Sequence, residues 1–236
     1  EGKDFYILIQ TSNYHYRAGG FFDSFLLGKA KVLNQEVISD FLRSFFLMGV
    51  ILIMSLYHFG LFILRRKDLG SLWFGIVCLT LFLREFTTKT FIMQFIDQSS
   101  LIFHLNSKLE YLSMYMAVPT FYMFLNEILK GYVNKKVIYF YWIVVTIYSI
   151  SMLFMSPATY TKPLYLSSFQ AVMFSSIVYA MFVIIKAAIK NAEHARVFLL
   201  AIGFLMLGVI YDVLVTYEIV PPPFIAPYTF MVFIFI

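Results

Sequence analysis

The sequence predicts an all-α polytopic membrane protein. Its core is a seven-helix transmembrane bundle, truncated in the seventh helix and preceded by a β-hairpin left over from an external β-domain. Three observations predict this class. The 236 residues are 61% hydrophobic and only 13% charged, with a mean hydropathy of +0.81, whereas soluble domains are nearer half apolar and a quarter charged. Apolar runs long enough to cross about 30 Å of hydrocarbon recur along the chain. The basic residues collect in alternate short loops between those runs.

Residues 1–33 differ in kind from the rest. "DFYILIQ" (4–10) and "FFDSFLL" (21–27) read as strands, and "YRAGG" (16–20) supplies the glycines of a turn or bulge. A lone hairpin is marginal in water, so these strands are expected to close a larger external domain. Residues 34–236 form the transmembrane domain. Six runs, 41–64, 71–93, 108–129, 136–155, 164–186 and 196–217, are long enough to span, and 224–236 begins a seventh. The charged start "EGKD" and the end inside the apolar "FMVFIFI" suggest a piece of a longer protein.

Orientation follows from lysine and arginine in the short loops. Arg65, Arg66 and Lys67 follow the first span, Lys130, Lys135 and Lys136 the third, and Lys186, Lys190 and Arg196 the fifth; the alternate loops hold little besides Lys162. The N-terminal segment is therefore expected outside and the C-terminus in the cytoplasm. The net charge of +5 reads as topology control, which leaves membrane lipids as partners and excludes nucleic acid. Cys78 is the single cysteine and lies in an apolar run, so no disulfide framework or thiolate metal site is expected.

Against this oily background, "LTLFLREFTTK" (79–89) places Arg84 and Glu85 inside the second span. Counting 1.5 Å per residue, Arg84, Glu110, Gln170 and Asp212 fall at similar depth toward the outer side of four spans. Intramembrane charges usually face the bundle interior and pair there. Arg84 is thus expected to pair with Glu110 or Asp212 in a polar switch that also includes Glu85 and Gln170. The alternative is that Arg84 and Glu85 snorkel to the headgroups with Lys89. Glu110 also fits a first-turn acid favoured by the helix dipole.

Other features read as packing. Ser167, Ala171 and Ser175 form a small-residue stripe on the fifth span, Gly203 and Gly208 ease the sixth, and Pro119 is placed to kink the third. The many Phe and Tyr residues are expected mostly at lipid or the interface. No two of the four histidines share a depth, His58 reads as a buried hydrogen-bonded residue, and no HExxH, GxSxG or phosphate-loop motif occurs. No cofactor and no catalytic residue are therefore expected in this stretch.

Several segments together resemble the bacterial seven-transmembrane receptors with diverse intracellular signalling modules. They are "ILIQTSNYHYRAGGFFDSFLLG" (7–28), "GVILIMSLYHFGLFILRRKD" (49–68), "LWFGIVCLTLFLRE" (72–85), "KLEYLSMYMAVPTFYMFL" (108–125), "GVIYDVL" (208–214) and "PYTFMVFIFI" (227–236). The first is similar to the end of that family's external jelly-roll sensor, and the rest to its seven-helix region. The resemblance implies a receptor in the bacterial cytoplasmic (inner) membrane. It would carry an external domain for a small ligand such as a carbohydrate, a helical relay, and a cytoplasmic histidine kinase, nucleotide cyclase or phosphatase. It also implies a homodimer, and it maps the family's arginine, "EY" glutamate and aspartate onto Arg84, Glu110 and Asp212. The alternative from the residues alone is a small-solute transporter or channel using the polar cluster; the absence of an inverted repeat argues against it.

Overall fold

A computed structural model describes residues 28–88, 100–192, 194–216, 219–220 and 225–235. The predicted strands 4–10 and 21–27 and their turn lie outside the described residues. Those described form helices and no strands: α1 (Ala30–Leu64), α2 (Leu69–Thr88), α3 (Ser100–Ile128), α4 (Lys135–Phe154), the single turn α5 (Pro157–Tyr160), α6 (Pro163–Ile189), α7 (Ala195–Thr216) and α8 (Ala226–Phe235). Five of them, α1, α2, α4, α6 and α7, are long and apolar enough to cross a membrane. This is a multi-pass helical membrane protein.

The remaining two long helices fall short for different reasons. α8 has 10 described residues, too few to span. α3 has 29 residues, but its first half carries Asn106, Ser107, Lys108, Glu110 and Ser113. Its position tolerates this polarity, because α3 packs against α2, α4, α5 and α6. Asn106, Ser107 and Ser113 are all buried within the protein. Hydropathy measures preference for lipid, and a helix walled by other helices meets little lipid.

Two boundaries differ from the sequence reading. α1 begins at Ala30, well before residue 41, so residues 30–33 are helical. α3 begins eight residues before the expected start at 108. Glu110 therefore sits about 15 Å inside the helix and is not a first-turn acid. Amphipathic or polar helical turns beyond the apolar run carry no hydropathy signal, which is why both starts were placed too late.

The helices close a ring. α1 packs on α2, α2 on α3, α3 on α6, α6 on α7, α7 on α8, and α8 returns to α1, while α4 and α5 lie outside against α3. Small residues set the closest approaches. Gly75 lets α2 rest on α1, since a Cβ there would lie 3.1 Å from the Phe59 ring, and the Ser55 hydroxyl donates to the Gly75 carbonyl at 2.8 Å. Gly208 lets α7 meet α8, since a Cβ there would overlap the Thr229 side chain. Gly203 has open space around it, so of the two glycines expected to ease packing only Gly208 does so.

Local signals fix the connections at the basic end. Asp68 caps α2, with the Ser71 amide donating at 3.2 Å and its hydroxyl at 2.6 Å. Asn134 caps α4 by accepting from the Lys136 amide, and Gly131 takes φ +86° in the turn before it. The Ser71 hydrogen bonds hold the Asp68 carboxyl below its ordinary range. The lowered value means that the cap is at full strength at neutral pH and is lost as pH falls through that value. Asp68→Ala is expected to cost about 1 kcal/mol. In thermal unfolding in detergent, the gap to wild type should close on acidification.

α4 is joined to α3 and α6 through tyrosines. Tyr122 stacks on Tyr141 with ring centroids 4.9 Å apart, and its hydroxyl donates to the Ser176 carbonyl. Tyr148 meets Tyr165 and Phe169 edge-on and donates to Ser168 at 2.7 Å. Tyr160 shares a 2.7 Å hydrogen bond with Ser107. Tyr115, Tyr122 and Tyr160 are at most 1% exposed, so these three depart from the expectation that the aromatic residues lie mostly at lipid or the interface, which Tyr57 and Tyr139 follow. The physical reason is the hydroxyl: hydrocarbon offers it no partner, whereas helix carbonyls and serines inside the bundle do. Phenylalanine has no such demand, and Phe46, Phe140, Phe154 and Phe174 do face outward.

Candidate functional site

The polar groups in the bundle are held by α2, α3 and α7. Arg84 on α2 meets Glu110 on α3, with Nη1 3.7 Å from the carboxylate and 3.5 Å from the Glu110 carbonyl. Both side chains are part-buried, at 35% and 27% exposed. Of the two partners the sequence offers Arg84, the ion pair is with Glu110. Adjacent turns hold the two helices together: Asn106 donates to the Thr87 carbonyl at 3.0 Å, and Thr87 itself is fully buried.

Asp212 performs a different task. Its carboxylate accepts from the Ile225 amide at 2.6 Å, one residue before α8 begins. The negative charge thus lies at the positive end of the α8 dipole and ties α8 to α7. Asp212 nonetheless shares a cavity of about 470 Å³ with Arg84 and Glu85, walled by apolar residues of α1, α2, α3, α7 and α8. Glu85, pointing about 100° from Arg84 around α2, still reaches the same cavity.

Arg84 also lines a second cavity of about 360 Å³, between α3, α6 and α7, which adjoins the first through Leu81, Ala117, Phe121 and Leu205. Arg84 therefore lines two adjoining spaces, with Glu110 beside it and Asp212 on the wall of the first. Gln170 does not join this group. It is exposed on the outer face of α6, together with Ser167 and Ala171, while Ser175, the third residue of the small-residue stripe, shares a 3.3 Å hydrogen bond with Tyr141 of α4. Equal depth along four helices does not fix the direction in which each side chain points, and the rotation of α6 turns Gln170 away.

His58 lies half-buried, edge-on to Phe74 at 4.5 Å, and its Nδ1 has no hydrogen-bond partner among the described residues. The hydrogen bond expected of it is not made there. It lines a third cavity, at the basic end, with Asp68 and His194. Among the described residues no three His, Cys, Asp or Glu side chains come close enough to hold a metal ion. The sequence reading missed the tyrosine seam; its signal was the recurrence of tyrosine with serine across the third, fourth and fifth spans.

Residues 40–236 match the family described as 7TM diverse intracellular signalling, which covers well over half of the chain. The chain belongs to that family. The polar group around Arg84 is thus part of a 7TM signalling receptor region, and the family is one of receptor modules and not of catalysts. No curated protein and no solved structure matches the chain. What this 7TM region does with its intramembrane charges must be read from its own geometry.

Proposed function

We propose that this chain relays a signal across the bacterial cytoplasmic membrane through a seven-span bundle, with the N-terminal segment outside and the C-terminus in the cytoplasm. An external β-domain binds a small ligand such as a carbohydrate, and a cytoplasmic kinase, cyclase or phosphatase receives the signal. The observation that carries this reading is the position of Arg84, which pairs with Glu110 and lines a cavity that also holds Glu85 and Asp212. An arginine with two alternative carboxylate partners gives two discrete arrangements, and a bias of a few kcal/mol from outside repopulates them.

The link to output lies in the second task of Asp212. When Arg84 turns from Glu110 to Asp212, it competes with the Ile225 amide for the same carboxylate and loosens the start of α8. α8 is the last described helix before the cytoplasmic side in this orientation. The test is a full-length receptor carrying this region, assayed for ligand-dependent output and, in proteoliposomes, for solute flux. Output that depends on ligand without flux supports the relay; flux of a small solute would favour the transporter reading.

The receptor acts as a homodimer in this proposal, with α6 as the contact. Gln170 presents an amide, both donor and acceptor, on a face otherwise formed by Ser167, Ala171 and apolar side chains. In hydrocarbon an amide needs a partner, and small residues allow two helices to approach closely. Ala171→Cys is expected to give a disulfide-linked dimer on mild oxidation of membranes. Cys78, the chain's own thiol, is fully buried and stays silent. A monomer throughout would remove α6 as the contact.

A further inference from the structure

The geometry points to a binding site within the bundle for a single-chain amphipathic monocarboxylate of fatty-acid type, about ten carbons long, with its carboxylate on Arg84. Size comes first. The cavity between α3, α6 and α7 holds about 360 Å³, and at about 30 Å³ per water-sized group this suits roughly a dozen non-hydrogen atoms.

Chemistry comes second. The walls are apolar, with Met114, Met181, Ile184, Ile202 and Met206 around the deeper space, and flexible methionines adapt to an alkyl chain. Among the described residues Arg84 is the one ionic side chain lining it, and Ser113 stands nearby as a polar neighbour. A guanidinium has five N–H donors. The contacts of Arg84 within the described residues are both made by Nη1, at 3.5 and 3.7 Å, which leaves most of its donors for an oxyanion. A carboxylate head satisfies them in the bidentate geometry that arginine favours.

Charge also decides between the two cavities beside Arg84. The one facing α1 and α8 contains Glu85 and Asp212, which repel an anion. Among the described residues, the one facing α3, α6 and α7 has no carboxylate on its walls, and the Glu110 carboxylate beside Arg84 is the one an anion there would have to displace. An anionic head with an apolar tail therefore fits the second. Occupancy does not depend on the switch reading; only its consequence, competition with Glu110 for Arg84, rests on that reading.

The test uses the chain in phosphatidylcholine nanodiscs with radiolabelled decanoate as the probe. One saturable equivalent per chain is expected. Arg84→Gln should weaken binding at least tenfold, Arg84→Lys should recover part of it, and Met206→Trp should remove it by filling the tail space. Decyltrimethylammonium should not compete, and among wild-type measurements affinity should peak near ten carbons. Absence of saturable binding, equal competition by the cation, or binding untouched by both Arg84→Gln and Met206→Trp would overturn the proposal. Displacement of decanoate by phosphatidylglycerol in the discs would assign the site to a lipid headgroup instead. If Arg84→Gln does not fold, the head-charge and chain-length comparisons on the wild type decide. Binding is read directly, so a failure of the switch leaves this result standing.

Discussion

Arg84→Gln and Glu110→Gln, made singly, are each expected to destabilise the receptor by about 2 kcal/mol, while the double variant costs less than their sum. Removing one partner of a buried pair leaves the other charge uncompensated, at about 3–5 kcal/mol when burial is complete. Arg84 and Glu110 are 35% and 27% exposed, so the smaller figure applies. A coupling of about 1–2 kcal/mol in the double-mutant cycle is the expected signature of a direct interaction. Thermal unfolding in detergent measures it, and additive single effects would show that the two groups act independently. The same variants in a full-length receptor test the relay. Output should lose its dependence on ligand in Arg84→Leu, at normal expression, because neither arrangement of the arginine remains. Unchanged response would discard the switch while leaving the family assignment intact.

Tyr122→Ala is expected to produce the largest loss of stability, about 3–5 kcal/mol. The ring is 1% exposed, stacked on Tyr141, and its hydroxyl reaches α6. Truncation leaves a cavity where α3, α4 and α6 meet. Tyr122→Phe removes only the hydroxyl bond and should cost about 1 kcal/mol. Tyr139 provides the contrast: it is 67% exposed on the outer face of α4, and Tyr139→Ala should stay within about 0.5 kcal/mol. If Tyr122→Ala and Tyr139→Ala unfold together, the tyrosine seam does not hold α4 in place.

The site was legible in part. An arginine in an apolar run announces that it needs a partner, and Glu110 was one of two candidates from depth alone. Asp212 looked equivalent, but depth cannot report that its carboxylate would meet the Ile225 amide across a turn. Gln170 fails for a related reason, since its rotation on α6 depends on which face of that helix meets Tyr148 and Tyr122. The tyrosines were misjudged because composition counts them as interfacial, while their hydrogen bonds depend on neighbours far away in sequence.

The sequence by itself determined that this chain lives in a membrane, where most of its helices run, and that it belongs with the 7TM signalling receptors. Those properties follow from the one-dimensional pattern of apolar runs and loop charges, which lipid and water read segment by segment. Only the tertiary structure decided that α3 lies inside, that Arg84 pairs with Glu110 and lines two cavities, and that Gln170, Ser167 and Ala171 look outward. Helix rotation and neighbour choice settle these points. Both emerge from packing over the whole bundle, where a turn of 100° per residue separates side chains that share a depth.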